Sequence, residues 1–230
     1  MSEKNDIGTL NERALHLALK KYIDGDESHH EIPVCGSVAD ILDGEIITEI
    51  ETRSFSNLRK KLGRFLESGY QVTVVFPVAV RTFFSYVGLD GKPDKKHLST
   101  KRGRPSDILT EIMKISEYVG NGRLSFRVIT LEVTEYRKRC KRRGRDSFEV
   151  IERFPSAFLD DFRLSSAEEL AGLVSIPHVP FSAGEFARAN RLSDFKAWKE
   201  LKALEDTGIV SCDKKNRPFV YKRIDNSADM

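Results

Sequence analysis

Apolar and polar positions alternate with two different periods along this chain, and the switches between them mark its elements. Leu10, Ala14, Leu17, Ala18 and Tyr22 recur at helical spacing, which predicts a helix to about Ile23. Thr9 and Glu12 have the spacing of a capping box at its mouth. The stretch from Asp24 to Ser28 reads as a turn, and residues 30–35 as a strand ended by Gly36. Val38–Leu42 and Glu45–Thr52 read as two strands around Asp43 and Gly44, because Asp-Gly between apolar runs is a strong two-residue hairpin signal. Ser54 or Ser56 is expected to cap the next helix. That helix carries Leu58, Leu62, Phe65 and Leu66 on one face and stops at Gly69. Gln71–Phe76 and Val78–Val87 read as two buried strands, and residues 88–105 as a polar, basic loop. An amphipathic helix over 106–119 and a strand over Leu124–Val133 complete this half.

A boundary is expected within residues 146–165, dividing the chain into domains at 1–150 and 151–230. Beyond it, helices are predicted at Ser165–Leu173, Ser182–Ala189 and Ser193–Asp206, with Gly208 ending the last. Strands around Val210–Cys212 and Phe219–Ile224 follow. Helix, turn, longer helix and basic hairpin is the order of a winged helix-turn-helix. Phe186, Leu192, Phe195, Trp198, Leu201 and Leu204 form its expected apolar seam. The fold class is therefore α/β: a mixed central sheet flanked by helices, then a small winged helix domain.

Composition adds one thing to this picture, an uneven charge. The chain has 230 residues, 40% hydrophobic and 32% charged, with a net charge of only +3. Residues 1–50 hold 11 acids against 4 bases, whereas residues 92–145 hold 16 bases against 6 acids. An acidic region and a basic one in a single fold suit a protein that takes a cation at one place and phosphates at another. No apolar run is long enough to span a bilayer, and the N-terminus has no signal-peptide core, so no membrane association is expected. Cys35, Cys140 and Cys212 are too few and too scattered for a disulfide framework or a zinc site. That pattern predicts a reducing cytoplasm.

The hairpin carries the sharpest chemistry. With Asp43 and Gly44 as its loop, Asp40 faces Ile47, and alternation puts Ile47, Glu49 and Glu51 on one face. Asp40, Glu49 and Glu51 then project together, while Ile41, Ile46, Thr48 and Ile50 project oppositely. Three like charges so close call for a counter-charge, and a hard cation with oxygen ligands is the simplest. A base-rich passage into the next helix follows, and Lys61, unlike Lys60, lies at the edge of its apolar face.

This arrangement resembles the PD-(D/E)XK nuclease superfamily, over roughly residues 9–135. Glu12 stands on the first helix, Asp40 begins the hairpin, and Glu49-Ile50-Glu51 occupies the (D/E)-x-K place, with Glu51 where that superfamily usually has lysine. The resemblance implies a restriction-endonuclease-like fold and metal-dependent phosphodiester hydrolysis. Asp40 and Glu49 would hold Mg²⁺ (or Mn²⁺), Glu51 or Lys61 would orient or deprotonate water, and Glu12 would be an outer ligand. The stretch from Asp40 to Leu62, with its basic region and C-terminal helices, also resembles a family of uncharacterised bacterial proteins.

Phosphate-binding residues are expected in three places. The segment 137–145 has seven bases in nine residues and ends in Arg142, Arg143 and Arg145. Lys101, Arg102 and Arg104 repeat its pattern around Gly103, where glycine lets a backbone approach. Lys196 and Lys199 on the presumed recognition helix, with Lys215 and Arg217 in the wing, complete the set. The expected partner is DNA, and the winged helix also supports a homodimer. Two other functions stay open: a DNA-binding regulator whose nuclease-like core is inactive, and an interaction module of a defence or repair complex.

Overall fold

The computed structural model describes residues 7–88, 90–215 and 217–224, with side chains from residue 14 onward. Helix α1 (Ile7–Ile23) leads through a short 3-10 turn into three strands, β1 (His30–Val34), β2 (Ser37–Asp43) and β3 (Ile46–Ile50). Then come α2 (Arg59–Glu67), β4 (Gln71–Tyr86), the two-residue β5 (His97–Leu98), α3 (Asp107–Ile112), β6 (Leu124–Arg142) and β7 (Arg145–Leu164). The last segment holds α4 (Ala167–Ala171), β8 (Phe181–Ser182), α5 (Ala183–Asn190), α6 (Asp194–Asp206), β9 (Val210–Asp213) and β10 (Val220–Arg223). The chain is α/β, with a seven-stranded sheet ordered β1-β2-β3-β4-β6-β7, β5 adding to β4, and a separate three-stranded sheet ordered β8-β10-β9. The large sheet is mixed. β1, β2 and β3 form an antiparallel meander. The Val72 N–H bonds the Arg123 carbonyl and the Val87 N–H bonds that of Arg137, so β4 and β6 run parallel.

Several boundaries differ from the expected ones for identifiable reasons. The first helix begins at Ile7, so Thr9 is inside it and not at its mouth. Nothing upstream breaks a helix, since one glycine costs only about 1 kcal/mol. Neither Ser54 nor Ser56 caps α2, whose N-cap is Leu58. Pro77 does not divide β4, because an extended strand already supplies proline's backbone angle and only one N–H is lost. The basic segment 137–145 is a strand hairpin. Arg143 and Gly144 have φ of 52° and 76°, the left-handed pair that a two-residue type I′ turn demands. Strand β7 then runs unbroken through the stretch where a boundary was expected.

The chain forms two compact units. One comprises Met1–Thr52, Val75–Arg104 and Val128–Phe162, and the other Arg53–Val74, Pro105–Arg127 and Arg163–Met230. In the first, Leu15 and Leu19 of α1 pack with Ile41, Ile50, Val75, Ile129, Leu131 and Val133. Each such side chain contributes about 1.5–3 kcal/mol by leaving water. In the second, α6 packs against α3 and α5. Its seam is Ala197, Leu201 and Leu204, whereas Phe195 and Trp198, expected in that seam, stack on each other with 66% and 51% of their surfaces exposed. Capping boxes open α4 (Ser166 with Glu169) and α5 (Ser182 with Glu185), and Ser193 caps α6. No helix among the described residues is long and apolar enough to cross a membrane.

Candidate functional site

The β2–β3 hairpin turns one residue later than its sequence predicts. Asp43 pairs with Ile46, Leu42 with Ile47 and Ile41 with Thr48, so the loop is Gly44-Glu45. Gly44 has φ +57° and occupies the first loop position, where a type II′ turn needs a left-handed residue. The shift keeps Asp40 in phase with Glu49 and brings the two opposite each other. The regular register ends at Ile41 and Thr48. Beyond it, carboxylates take over the backbone donors. Glu49 Oε1 accepts the Asp40 N–H at 3.2 Å, and Asp40 Oδ2 accepts the Ile50 N–H at 2.8 Å. Glu49 is buried, with 2% of its surface exposed, beside the fully buried Ile47. The carboxylate side of the hairpin is therefore covered like its apolar side.

Helix α1 supplies the countercharge. His16 Nε2 lies 3.1 Å from Asp40 Oδ2, and the buried Lys20 ammonium lies 3.7 Å from Asp40 Oδ1. Lys20 also pairs with Glu31. The ligand atoms of His16, Glu31 and Asp40 all lie within 4.8 Å of one another. Glu31 reaches this cluster from a left-handed backbone, φ 55°, inside β1. Non-glycine residues adopt that conformation at a cost, and it concentrates at functional positions. The cluster opens to solvent through Glu31, whose side chain is 62% exposed, against 25% for His16 and 15% for Asp40. In the turn before β1, His29 Nδ1 lies 2.7 Å from Asp24 Oδ2. That bond raises the His29 pKa. The Asp24 pKa is lowered, first by the Asp26 N–H it accepts and then by His29.

Residues 13–165 match the family described as Domain of unknown function (DUF8091). The chain belongs to that family. The matched stretch contains the whole seven-stranded sheet and every residue of the cluster. Over 144 residues the chain is 31% identical to an uncharacterized protein of Treponema pallidum (strain Nichols), an alignment covering 62% of this chain. It spans 56% of that relative, little more than half its length. No solved structure matches.

Of the residues singled out by sequence in this DUF8091 chain, Asp40 and Glu49 come together. Glu51 follows β3 half-buried, its N–H bonded to the Val75 carbonyl. Glu12 lies in α1 one turn before His16, and its side chain is outside the described residues. Lys61 belongs to the second unit, its ammonium 5.8 Å from the centre of the Phe65 ring of its own helix. His16, Lys20 and Glu31 were missed. Their signal was faint: residues 16 and 20 are one helical turn apart, but they lie off the stripe of Leu10, Ala14, Leu17, Ala18 and Tyr22.

The basic residues have varied surroundings. Lys101 and Arg102 are exposed, and the Arg102 guanidinium bonds the Lys101 carbonyl at 3.0 Å. Arg104 is half-buried. Gly103 serves a self-contact: its N–H bonds the Ala79 carbonyl at 2.9 Å, and a Cβ there would lie 2.7 Å from that oxygen. Arg142, Arg143 and Arg145 are exposed around the β6–β7 turn. Lys196 is engaged by Asp107 and, at 3.9 Å, by Glu200. Lys199 lies over the Phe195 ring, Arg217 over Phe219, and Lys215 is exposed.

Proposed function

We propose that this protein is a divalent-metal-dependent nuclease acting on DNA, with its site at Asp40, Glu49, Glu31, His16 and Lys20. The observation that carries this reading is the opening of the β2–β3 hairpin at Asp40 and Glu49, where Glu49 accepts the Asp40 N–H and the Asp40 carboxylate meets His16, Glu31 and a buried lysine. The order helix, three-strand meander, helix, strand is compatible with a restriction-endonuclease-like core. The α5–α6 pair with its three-stranded sheet is compatible with a winged helix. Two carboxylates and an imidazole are a donor set that a small divalent cation accepts, and the nitrogen favours Mn²⁺ over Mg²⁺. Such a cation would polarise a phosphoryl oxygen and lower the pKa of a bound water. Lys20 is a lysine at Asp40, so it takes the charge-neutralising role on the phosphate. Three free cysteines suit a cytoplasmic location.

The test is cleavage of plasmid, linear and branched DNA with Mg²⁺ and with Mn²⁺. Wild type should cut, and Asp40→Ala and Glu49→Gln should not. One observation favours a second reading, a DNA-binding protein with an inactive core. Asp40 already faces His16 and Lys20, so its charge is compensated without a metal. Binding without cleavage under either metal would select that reading.

A further inference from the structure

A second cationic feature lies at the far end of β4, within the first unit. Tyr86, Lys92, Pro93, Lys138, Arg139 and Ile151 line a cleft of about 700 Å³, a volume in the range of small-ligand sites. Among these lining residues Tyr86 is aromatic, and Arg139 lies over its ring, 4.1 Å from the centre. Two residues earlier on both strands, the equivalent pair is locked. Arg137 is buried between Phe84 (3.9 Å) and Phe148 (4.2 Å), and its guanidinium grips Glu135 with two bonds of 2.9 and 2.7 Å. That anchored layer fixes the rung that carries Tyr86 and Arg139. Lys92, Lys138 and Arg139 are exposed, and among the described residues none has an acid within ion-pair distance. The two acids of the cleft are turned into the loop. Asp94 accepts the Tyr86 N–H at 2.8 Å, and Asp90 accepts the Lys92 N–H at 3.1 Å.

Cations without an acid at ion-pair distance around a tyrosine ring suit a ligand that is both planar and anionic. A duplex presents phosphates and groove edges to such a cleft but no base face, because its bases are stacked inside. A single strand presents a base face and a phosphate together. We infer that this cleft binds single-stranded nucleic acid, with one base taking the Tyr86 ring face that Arg139 covers and its flanking phosphates held by Lys92, Lys138 and the Arg139 side chain it displaces. The exposed Lys141, Arg142, Arg143 and Arg145 extend the cationic track along the β6–β7 hairpin. This inference rests on the nucleic-acid reading of the chain but not on its cleavage chemistry.

The test is fluorescence anisotropy in EDTA over a salt series, with labelled strands of about twelve nucleotides, within the range of single-strand site sizes. The arms are single-stranded DNA, single-stranded RNA, the matching duplex and, as competitor, inorganic polyphosphate. Single strands should bind more tightly than duplex, and polyphosphate should compete poorly; the stronger of the DNA and RNA arms names the sugar. Tyr86→Ala should weaken binding about 5- to 150-fold, the range that loss of one stacked base gives, while Tyr86→Phe stays near wild type. Lys138→Ala with Arg139→Ala, both exposed positions, should lower the salt slope by about 1.4, since each single-strand phosphate left without its cation lowers it by about 0.7. An unchanged slope, equal affinity for duplex, or full competition by polyphosphate overturns the inference. Tyr86-dependent binding in a protein that never cuts would remove the nuclease reading and leave this one standing.

Discussion

Replacing Lys20 with methionine keeps most of the buried volume and removes only the charge. Its ammonium lies 3.7 Å from Asp40 Oδ1, and its side chain is 4% exposed, so solvent screens the pair weakly. At an effective dielectric near 20, that separation corresponds to about 4.5 kcal/mol of attraction. Not all of this is lost in Lys20→Met. Asp40 keeps the Ile50 N–H and His16, and Glu31 is mostly in water and relaxes freely. A net loss of about 2–3 kcal/mol remains, below the ~3–5 typical of breaking a fully buried pair. For a chain of this length that lowers Tm by about 5–10 °C. Thermal melts of Lys20→Met, Asp40→Asn and the double variant close the cycle. The double variant should lie above the sum of the singles, because it leaves no orphaned charge. The same lysine competes with any cation for Asp40 and Glu31, so Lys20→Met should also bind Mn²⁺ more tightly by calorimetry. A Lys20→Met protein melting within about 1 °C of wild type, with no coupling to Asp40→Asn, would refute the assignment of Lys20 as the cluster's countercharge.

Three further outcomes are expected. Because the fold raises the His29 pKa through Asp24, His29 stabilises the turn fully below about pH 6.5, and that contribution fades as pH rises through its raised folded value. Asp24, lowered, contributes above about pH 3.9 and loses its share as pH falls through its folded value. In an NMR titration, Asp24→Asn should move the His29 midpoint down, and an unmoved midpoint contradicts the pairing. Gly103→Ala should cost about 1–3 kcal/mol in a denaturant melt, since its new Cβ meets the Ala79 carbonyl, whereas Arg102→Ala should stay within about 0.5. A fragment of residues 1–164 should fail to give a cooperative melt, because α3 loses α6, with Ser106 bonded to Glu200 and Asp107 paired to Lys196. A sharp transition in that fragment would count against the division of the chain into these units.

The local elements were legible because they rest on nearest-neighbour physics. The period of Leu58, Leu62 and Phe65 made α2 visible, and Ser182, Ser193 and Gly69 marked helix ends through bonds a few residues long. The pairing of Asp40 with Glu49 was legible too, since a strand's two-residue period survives a shift of the turn by one residue in each arm. What sequence left open depended on contacts between distant segments. The turn settled on Gly44-Glu45 because the left-handed position took the glycine. Phe195 and Trp198, apolar and at helical spacing, lie in water because α6 turns Ala197, Leu201 and Leu204 inward. Residues 145–164 had too little alternation to announce a strand, yet pairing with β6 makes them one. Above all, a buried lysine beside Asp40 comes from α1, 20 residues before it in the chain. Spacing ranks candidates by distance along the chain, but a buried charge is satisfied by whichever opposite charge the packed helix brings within a few ångströms, and only the docking of Leu15 and Leu19 on the sheet places Lys20 there.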